Sequence, residues 1–187
     1  MKNNGIKNST LRVAVCSVIA ALSLALMLLT SLVPIGTYAF PCFAGILLVA
    51  IVIEYKCKWA MLVYAVISVL SLILAGDKEA VLFFIMFFGY YPVLKNIIES
   101  RFQPKFGKAA GYIFKLLIFN AAVIAAFFIA AFLLSIPAEE YTIFGFYVPW
   151  VFLIIGNIFF VIYDRAVSLM AAQYVCRFRE KIFRNKK

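Results

Sequence analysis

The chain has 187 residues, of which 66% are hydrophobic and 14% are charged, and its formal net charge is +10. A soluble fold of this length has about half its residues apolar and about a quarter charged. It could not hide this much apolar surface, so we expect lipid to be the solvent for most of the chain. Histidine is absent, which excludes histidine-ligated metals, histidine general bases and Ser-His-Asp triads.

Six apolar runs, separated by short polar or turn-forming breaks, predict an all-α integral membrane bundle of about six transmembrane helices. The first run exceeds the apolar core of a signal peptide, about 7–15 residues, so we expect it to be retained as a helix. A polar segment over 95–108 separates the fourth helix from the fifth. The whole chain, 1–187, is interpreted as a single membrane domain. The predicted helices are 11–33, 38–53, 59–75, 80–94, 112–136 and 148–170, and a basic cytoplasmic tail follows over 171–187.

The distribution of basic residues predicts the orientation of the bundle. If the N-terminus is cytoplasmic, every lysine and arginine except Lys78 falls toward the inner side of the predicted helices. The positive-inside rule therefore places both termini in the cytoplasm, in a multi-pass protein of the plasma or inner membrane. The same rule accounts for the net charge, so we expect lipid rather than nucleic acid as the partner of these residues.

The signatures of membrane enzymes are missing from the sequence. Without histidine there is no H-E-x-x-H zinc site, and no P-loop pattern appears. The two aspartates, Asp77 and Asp164, are predicted at different depths, which does not suit a shared divalent metal. We therefore predict no enzymatic activity, no catalytic residue, no cofactor and no metal.

Polar residues at the outer loops and inside the spans are the candidates for a substrate site. Acidic and aromatic residues cluster at the predicted outer ends, either as the mouth of an outward-facing pocket or as an aromatic belt with a solvated acidic rim. An asparagine inside a span is costly in hydrocarbon, and it either binds a ligand or hydrogen-bonds a neighbouring helix. The candidate substrate-binding residues are Tyr38, Asp77, Glu79, Asn120, Glu139, Glu140, Trp150 and Asn157.

Two charged positions lie near the inner ends of the last predicted helices. Lys115 lies about one turn into the fifth predicted helix, and we expect its side chain to snorkel to the inner surface. The Asp164-Arg165 pair is expected near the inner interface, where it orients the helix or contacts a partner.

Small residues recur at four-residue spacing along the first predicted helix. Such small-xxx-small faces let two helices approach closely, so that dispersion forces act over a large contact. The pattern indicates either packing within the bundle or a docking face for a second membrane protein. The candidate partner-docking residues are Ala14, Ser17, Ala21 and Ala25.

In this arrangement the chain resembles the substrate-binding S components of energy-coupling-factor (ECF) vitamin transporters, which are small six-helix membrane proteins with both termini cytoplasmic. The resemblance covers the whole chain and rests on three local features. These are a basic start leading into a small-residue helix (RVAVCSVIAAL, 12–22), a proline-bearing outer loop (VPIGTYAFP, 33–41) and an apolar second helix closed by a short basic turn. The first helix of the family carries an alanine-xxx-alanine contact to the coupling protein. The strict match here is Ala21 and Ala25, and nearer the inner face the motif becomes Ser17 and Ala21.

The resemblance implies a substrate-capture subunit that binds a vitamin-like small molecule from outside. A membrane coupling protein and two ATPase subunits would be its partners, and the bound subunit would topple in the membrane to release its cargo. The alternative is a scaffolding protein of a cell-shape or envelope complex, with no small-molecule substrate. An importer subunit should have an outer cavity lined by polar and aromatic groups, whereas a scaffold should have a filled core.

Overall fold

The computed structural model describes residues 3–33, 36–134, 142–143 and 146–178. The described residues are helical except for short turns and one two-residue antiparallel ladder, which confirms the predicted helical class. In chain order the elements are α1 (Asn3–Leu29), α2 (Gly36–Leu74), α3 (Lys78–Phe83), α4 (Tyr91–Ile97), α5 (Gln103–Leu134), β1 (Thr142–Ile143), β2 (Phe146–Tyr147) and α6 (Val148–Gln173), with π-helical segments at Phe84–Phe88, Ile98–Phe102 and Tyr174–Phe178.

Four helical stretches among the described residues are long and apolar enough to cross a membrane, namely Ser9–Leu29, Gly36–Leu74, Lys78–Ile129 and Leu153–Arg177. Large apolar side chains such as Ile73 and Phe128 are exposed along these helices, while Lys115 and Asp164 are buried. A water-soluble fold has the opposite pattern, because water drives apolar side chains inward. The exposure pattern therefore indicates that lipid covers the helices.

The described chain forms two compact units. The first comprises residues up to Asn96 and those from Val167 onward, and the second comprises Ile97–Ala166. In the first unit, α1 lies alongside the second half of α2. The guanidinium of Arg12 lies 4.1 Å from the centroid of the Trp59 ring, and near the far end of α1 the Ser31 Oγ accepts a bond of 2.9 Å from the Gly76 N–H. These two stretches therefore run in the same direction.

Within the first unit the chain reverses at Lys56, in the middle of α2. A straight helix of 39 residues would be about 58 Å long. Yet the Tyr38 hydroxyl, near its start, donates a bond of 2.8 Å to Glu79, and the five residues that separate Glu79 from Leu74 span at most about 18 Å. The helix therefore folds back at Lys56, where the backbone is non-helical (φ 69, ψ 169). The predicted second and third helices, 38–53 and 59–75, lie on either side of this point.

The predicted polar break over 95–108 is largely helical, which corrects the sequence prediction. The helical path continues through α4, the π-helical segment Ile98–Phe102 and the start of α5, and only Gly107 departs from it (φ 88, ψ 163). Polarity alone does not end a helix, since lysine, arginine and glutamate are good helix formers. A positive φ costs glycine little, so the break falls at Gly107.

The second unit contains a further reversal at Gly107. The rings of Phe102 and Phe114 stack with centroids 5.1 Å apart, whereas twelve residues of straight helix would separate them by about 18 Å. Beyond the reversal, α5 runs antiparallel to α6, because Phe119 stacks on Phe160 and residues further along α5 contact residues earlier in α6. The α5–α6 pair brings Lys115 to Asp164 and Asn120 to Asn157.

We expect the reversal at Lys56 to be testable by cross-linking. A Cβ at Gly76 would lie 3.4 Å from the Ser31 Cβ, close to the Cβ separation of about 3.5–4.5 Å in disulfides. The variant Ser31→Cys/Gly76→Cys should therefore form an intramolecular disulfide on mild oxidation, detected by peptide mass spectrometry. Ser31→Cys/Lys56→Cys is the matched control and should not cross-link, because Lys56 lies at the opposite end of the fold-back. A linked control pair without a linked test pair would contradict this arrangement.

Candidate functional site

The second unit contains a buried ionic cluster formed by Lys115, Glu99 and Asp164. The Lys115 side chain is only 2% exposed, and its Nζ lies 2.9 Å from Asp164 Oδ1 and 3.1 Å from Glu99 Oε1. The reversal at Gly107 brings Glu99 beside Lys115, and the antiparallel α6 brings Asp164 from 49 positions away. Lys115 therefore does not snorkel to the surface as its position predicted, because two carboxylates hold its ammonium inside the protein.

The carboxylates offset the cost of burying Lys115. An unpaired ammonium in a low-dielectric interior loses its hydration and costs several kcal/mol. Here the side chain of Asp164 is 9% exposed and that of Glu99 is 39% exposed, so one partner is buried and the other meets the surface. The Tyr112 ring adds a weaker contact, 5.6 Å from Nζ. Ionisable groups inside a span are rare and are functional candidates by default.

Further along α5 and α6, Asn120 and Asn157 form a reciprocal amide pair. Each Nδ2 donates to the Oδ1 of the other residue, at 3.0 Å and 2.9 Å. Each Nδ2 also donates to a backbone carbonyl one turn earlier, Leu116 for Asn120 and Leu153 for Asn157. Both N–H donors of each amide are thus occupied within the protein, which favours helix packing over ligand binding.

An aromatic layer separates the ionic cluster from the amide pair. Asn157 precedes Asp164 by seven residues, or about 10 Å along α6. Between these two groups the rings of Phe119 and Phe160 stack with centroids 4.9 Å apart, and Phe160 is buried. This layer separates the charged cluster from the amide pair. The α5–α6 interface therefore contains two separate polar contacts and not one continuous polar network.

The acidic candidates of the first unit take part in a hydrogen-bond network at one end of α2. Asp77 caps α3 by accepting from the Ala80 N–H at 3.0 Å, and Glu79 accepts the Tyr38 hydroxyl. The Ser31 Oγ accepts hydrogen bonds from the backbone N–H groups of Gly76 and Asp77, which follow α2. These bonds connect the end of α1 to the end of α2. The Tyr38 ring also packs on Phe83, with centroids 5.1 Å apart.

The small-residue face of α1 points away from the protein. Ala14, Ser17, Ala21 and Ala25 are all exposed, whereas the buried residues on the inward side include Cys16, Ser23, Met27 and Thr30. At 3.6 residues per turn the two faces lie about half a turn apart. Within the first unit α1 therefore packs through its other face, and the four docking candidates are accessible to lipid or to a partner helix.

The remaining candidates are dispersed or undescribed. Trp150, at the start of α6, is 66% exposed, and Glu139 and Glu140 lie outside the described residues. Among the candidates, the structure brings Asn120 to Asn157 and Tyr38 to Glu79. Within the described part of the chain, no group of three acidic or cysteine side chains could hold a metal ion.

Sequence reasoning missed the joining of Glu99, Lys115 and Asp164. Each residue was visible as a charge beside or within an apolar run. The contact among these three side chains depends on the helical reversal at Gly107 and on the packing of α5 against α6. No local sequence pattern encodes either feature. No protein-family model, curated protein or solved structure matches the chain.

Replacing Lys115 tests the ionic cluster. Lys115→Met should lower the free energy of unfolding by about 3–5 kcal/mol, because it leaves the buried Asp164 carboxylate without its partner. The double variant Lys115→Met/Asp164→Leu should recover most of that loss. The measurement is thermal unfolding in detergent, with Lys105→Met, an exposed lysine on the same helix, as the matched control. Equal effects of Lys115→Met and Lys105→Met would contradict the buried pair.

A double-mutant cycle tests the amide pair. Asn120→Ala and Asn157→Ala should each destabilise the protein, and the double variant should cost less than the sum, with a coupling of about 0.6–1.7 kcal/mol. The physical reason is that the first substitution already removes both reciprocal bonds. The measurement is again thermal unfolding in detergent. Strictly additive losses would show that the two amides do not interact, and lost ligand affinity at unchanged stability would assign them to a substrate site.

Proposed function

We propose that this protein is a six-span subunit of the plasma membrane with both termini cytoplasmic, and that it serves as the substrate-capture subunit of an ECF-type importer. The reversals at Lys56 and Gly107 support the number of spans, since each divides a long apolar stretch into two oppositely directed segments. Both reversals lie in the basic stretches that the positive-inside rule assigns to the cytoplasm. The orientation follows from this charge distribution.

The exposed small-residue face of α1 is the observation on which the function rests. A bundle that used this face for its own packing would bury it, yet Ala14, Ser17, Ala21 and Ala25 are exposed. Small side chains give lipid little contact area, but they allow a second helix to approach closely along the whole stripe. This is the property expected of a subunit that docks to a membrane coupling protein, as the resemblance to ECF S components implies.

The proposed cargo is a vitamin-like small molecule taken from the outer side. The support for this is the polar and aromatic network at one end of the first unit, where the Tyr38 hydroxyl and the Glu79 carboxylate meet. The proposed partners are a membrane coupling protein and two ATPase subunits, since the sequence has no nucleotide-binding pattern of its own. The protein itself would bind and present the cargo without chemical change.

A scaffolding role in an envelope complex is the second candidate, and one observation favours it. The two amides nominated for ligand binding inside the spans, Asn120 and Asn157, use their N–H donors on each other and on the backbone. Amides that are saturated within the protein suit a scaffold, because a scaffold acts through its surfaces. Both candidates use the exposed face of α1 for docking, and they differ in whether a small molecule binds.

Enlarging one residue of the α1 stripe tests docking. Ala21→Leu should reduce the amount of partner protein that co-purifies from native membranes by roughly tenfold, because a bulky side chain prevents close helix approach. Ala65→Leu, the same change at an exposed alanine of α2, should leave co-purification unchanged. Quantitative mass spectrometry of the purified complexes provides the measurement. Equal recovery of partners with both variants would remove α1 as the docking face.

A thermal-shift screen separates the importer from the scaffold. The detergent-purified protein is heated with vitamins, amino acids and other small metabolites, and a ligand that binds only the folded state raises the melting temperature. A shift of several degrees with one compound is the result expected of a capture subunit. Docking through α1 without any ligand-induced shift would support the scaffold instead.

A further inference from the structure

The reversal at Gly107 carries an exposed basic and aromatic surface. We define this tip patch as Arg101, Lys105, Phe106 and Lys108, all of which are exposed, with Phe106 64% exposed. A Cβ placed on Gly107 would meet nothing within 4 Å, so the tip projects into open space. The patch is therefore available to whatever surrounds this end of the protein.

A stack of three rings connects the tip to the apolar outside of α5. Phe106 stacks on Phe102 with centroids 4.6 Å apart, and Phe102 stacks on Phe114 at 5.1 Å. Phe114 is itself exposed, and its neighbours Ile113 and Leu117 are more than half exposed. The apolar surface of the helix thus continues to the basic residues without interruption. This is the profile of a segment that lies at the boundary between hydrocarbon and headgroups.

The electrostatics of the tip favour an anionic partner. No aspartate or glutamate occurs between residues 100 and 138, and the nearest carboxylate along the chain, Glu99, contacts Lys115. In water the three cations would be hydrated, but the apolar Phe106 ring would remain exposed, which is unfavourable. At an anionic membrane surface the cations approach phosphates while the ring enters the upper acyl region.

We propose that the tip patch binds anionic phospholipids. Arg101, Lys105 and Lys108 contact the lipid phosphates, and Phe106 with its ring stack lies among the first acyl carbons. Anionic lipid is thereby enriched around this reversal relative to the bulk bilayer. Binding of anionic lipid at this surface is independent of the importer or scaffold role.

Fluorescence quenching tests the proposal on the full-length protein. Phe106→Trp is placed in a Trp59→Phe/Trp150→Phe background, which keeps an aromatic ring at every position and leaves the introduced indole as the only tryptophan. The protein is reconstituted in phosphatidylcholine vesicles containing a minority of phosphatidylglycerol. Bromine, the quencher, is carried by the phosphatidylglycerol in one set of vesicles and by an equal amount of phosphatidylcholine in the other. The bulk charge is then identical in both sets, and an unchanged melting temperature verifies folding.

We expect brominated phosphatidylglycerol to quench the fluorescence of the introduced tryptophan about twofold more strongly than brominated phosphatidylcholine, with the excess falling at high salt. Arg101→Gln/Lys105→Gln/Lys108→Gln should abolish the excess. The matched control Lys56→Gln/Lys58→Gln, which removes exposed cations at the other reversal, should retain it. Equal quenching by both lipids, no quenching by either, or equal loss in the control would each overturn the proposal.

Discussion

A hydrocarbon solvent requires every backbone N–H and C=O group to be bonded within the chain, and the described fold follows from this constraint. The helices satisfy it internally, so their chemistry is left to the side chains. Within the described helices, α2 and α5 each contain one non-helical residue, Lys56 and Gly107. Both residues are exposed, at reversals where water or headgroups can solvate the freed groups. The positive φ of Lys56 is an unfavourable conformation for a residue with a Cβ, which the packing on either side of the turn maintains.

Polar pairs between α5 and α6 give the helix pairing a defined register. Apolar helices in lipid gain little from one register over another, because tails and side chains are equally apolar. The Lys115–Asp164 contact and the Asn120–Asn157 pair can each form at only one register of α5 against α6. We infer that these pairs favour specificity more than raw stability, since a buried ion pair contributes little beyond well-packed apolar residues.

The two faces of α1 have different surroundings. Its inward face contributes Ser23, which donates to the Ala44 carbonyl, together with other buried residues. Its outward stripe of small residues is exposed. The exposed surfaces of the described chain thus include the small-residue stripe of α1 and the basic tip at Gly107.

The sequence alone determined that the chain is helical and apolar, because lipid exposure requires long uncharged runs that any hydropathy pattern reveals. It also located the break near Lys56, where glutamate and lysine interrupt the apolar run. Only the tertiary structure decided that residues 95–106 are helical, that Lys115 is buried and that the small residues of α1 face outward. Those properties depend on which helix faces meet across long stretches of chain, and the local pattern contains no information on that pairing.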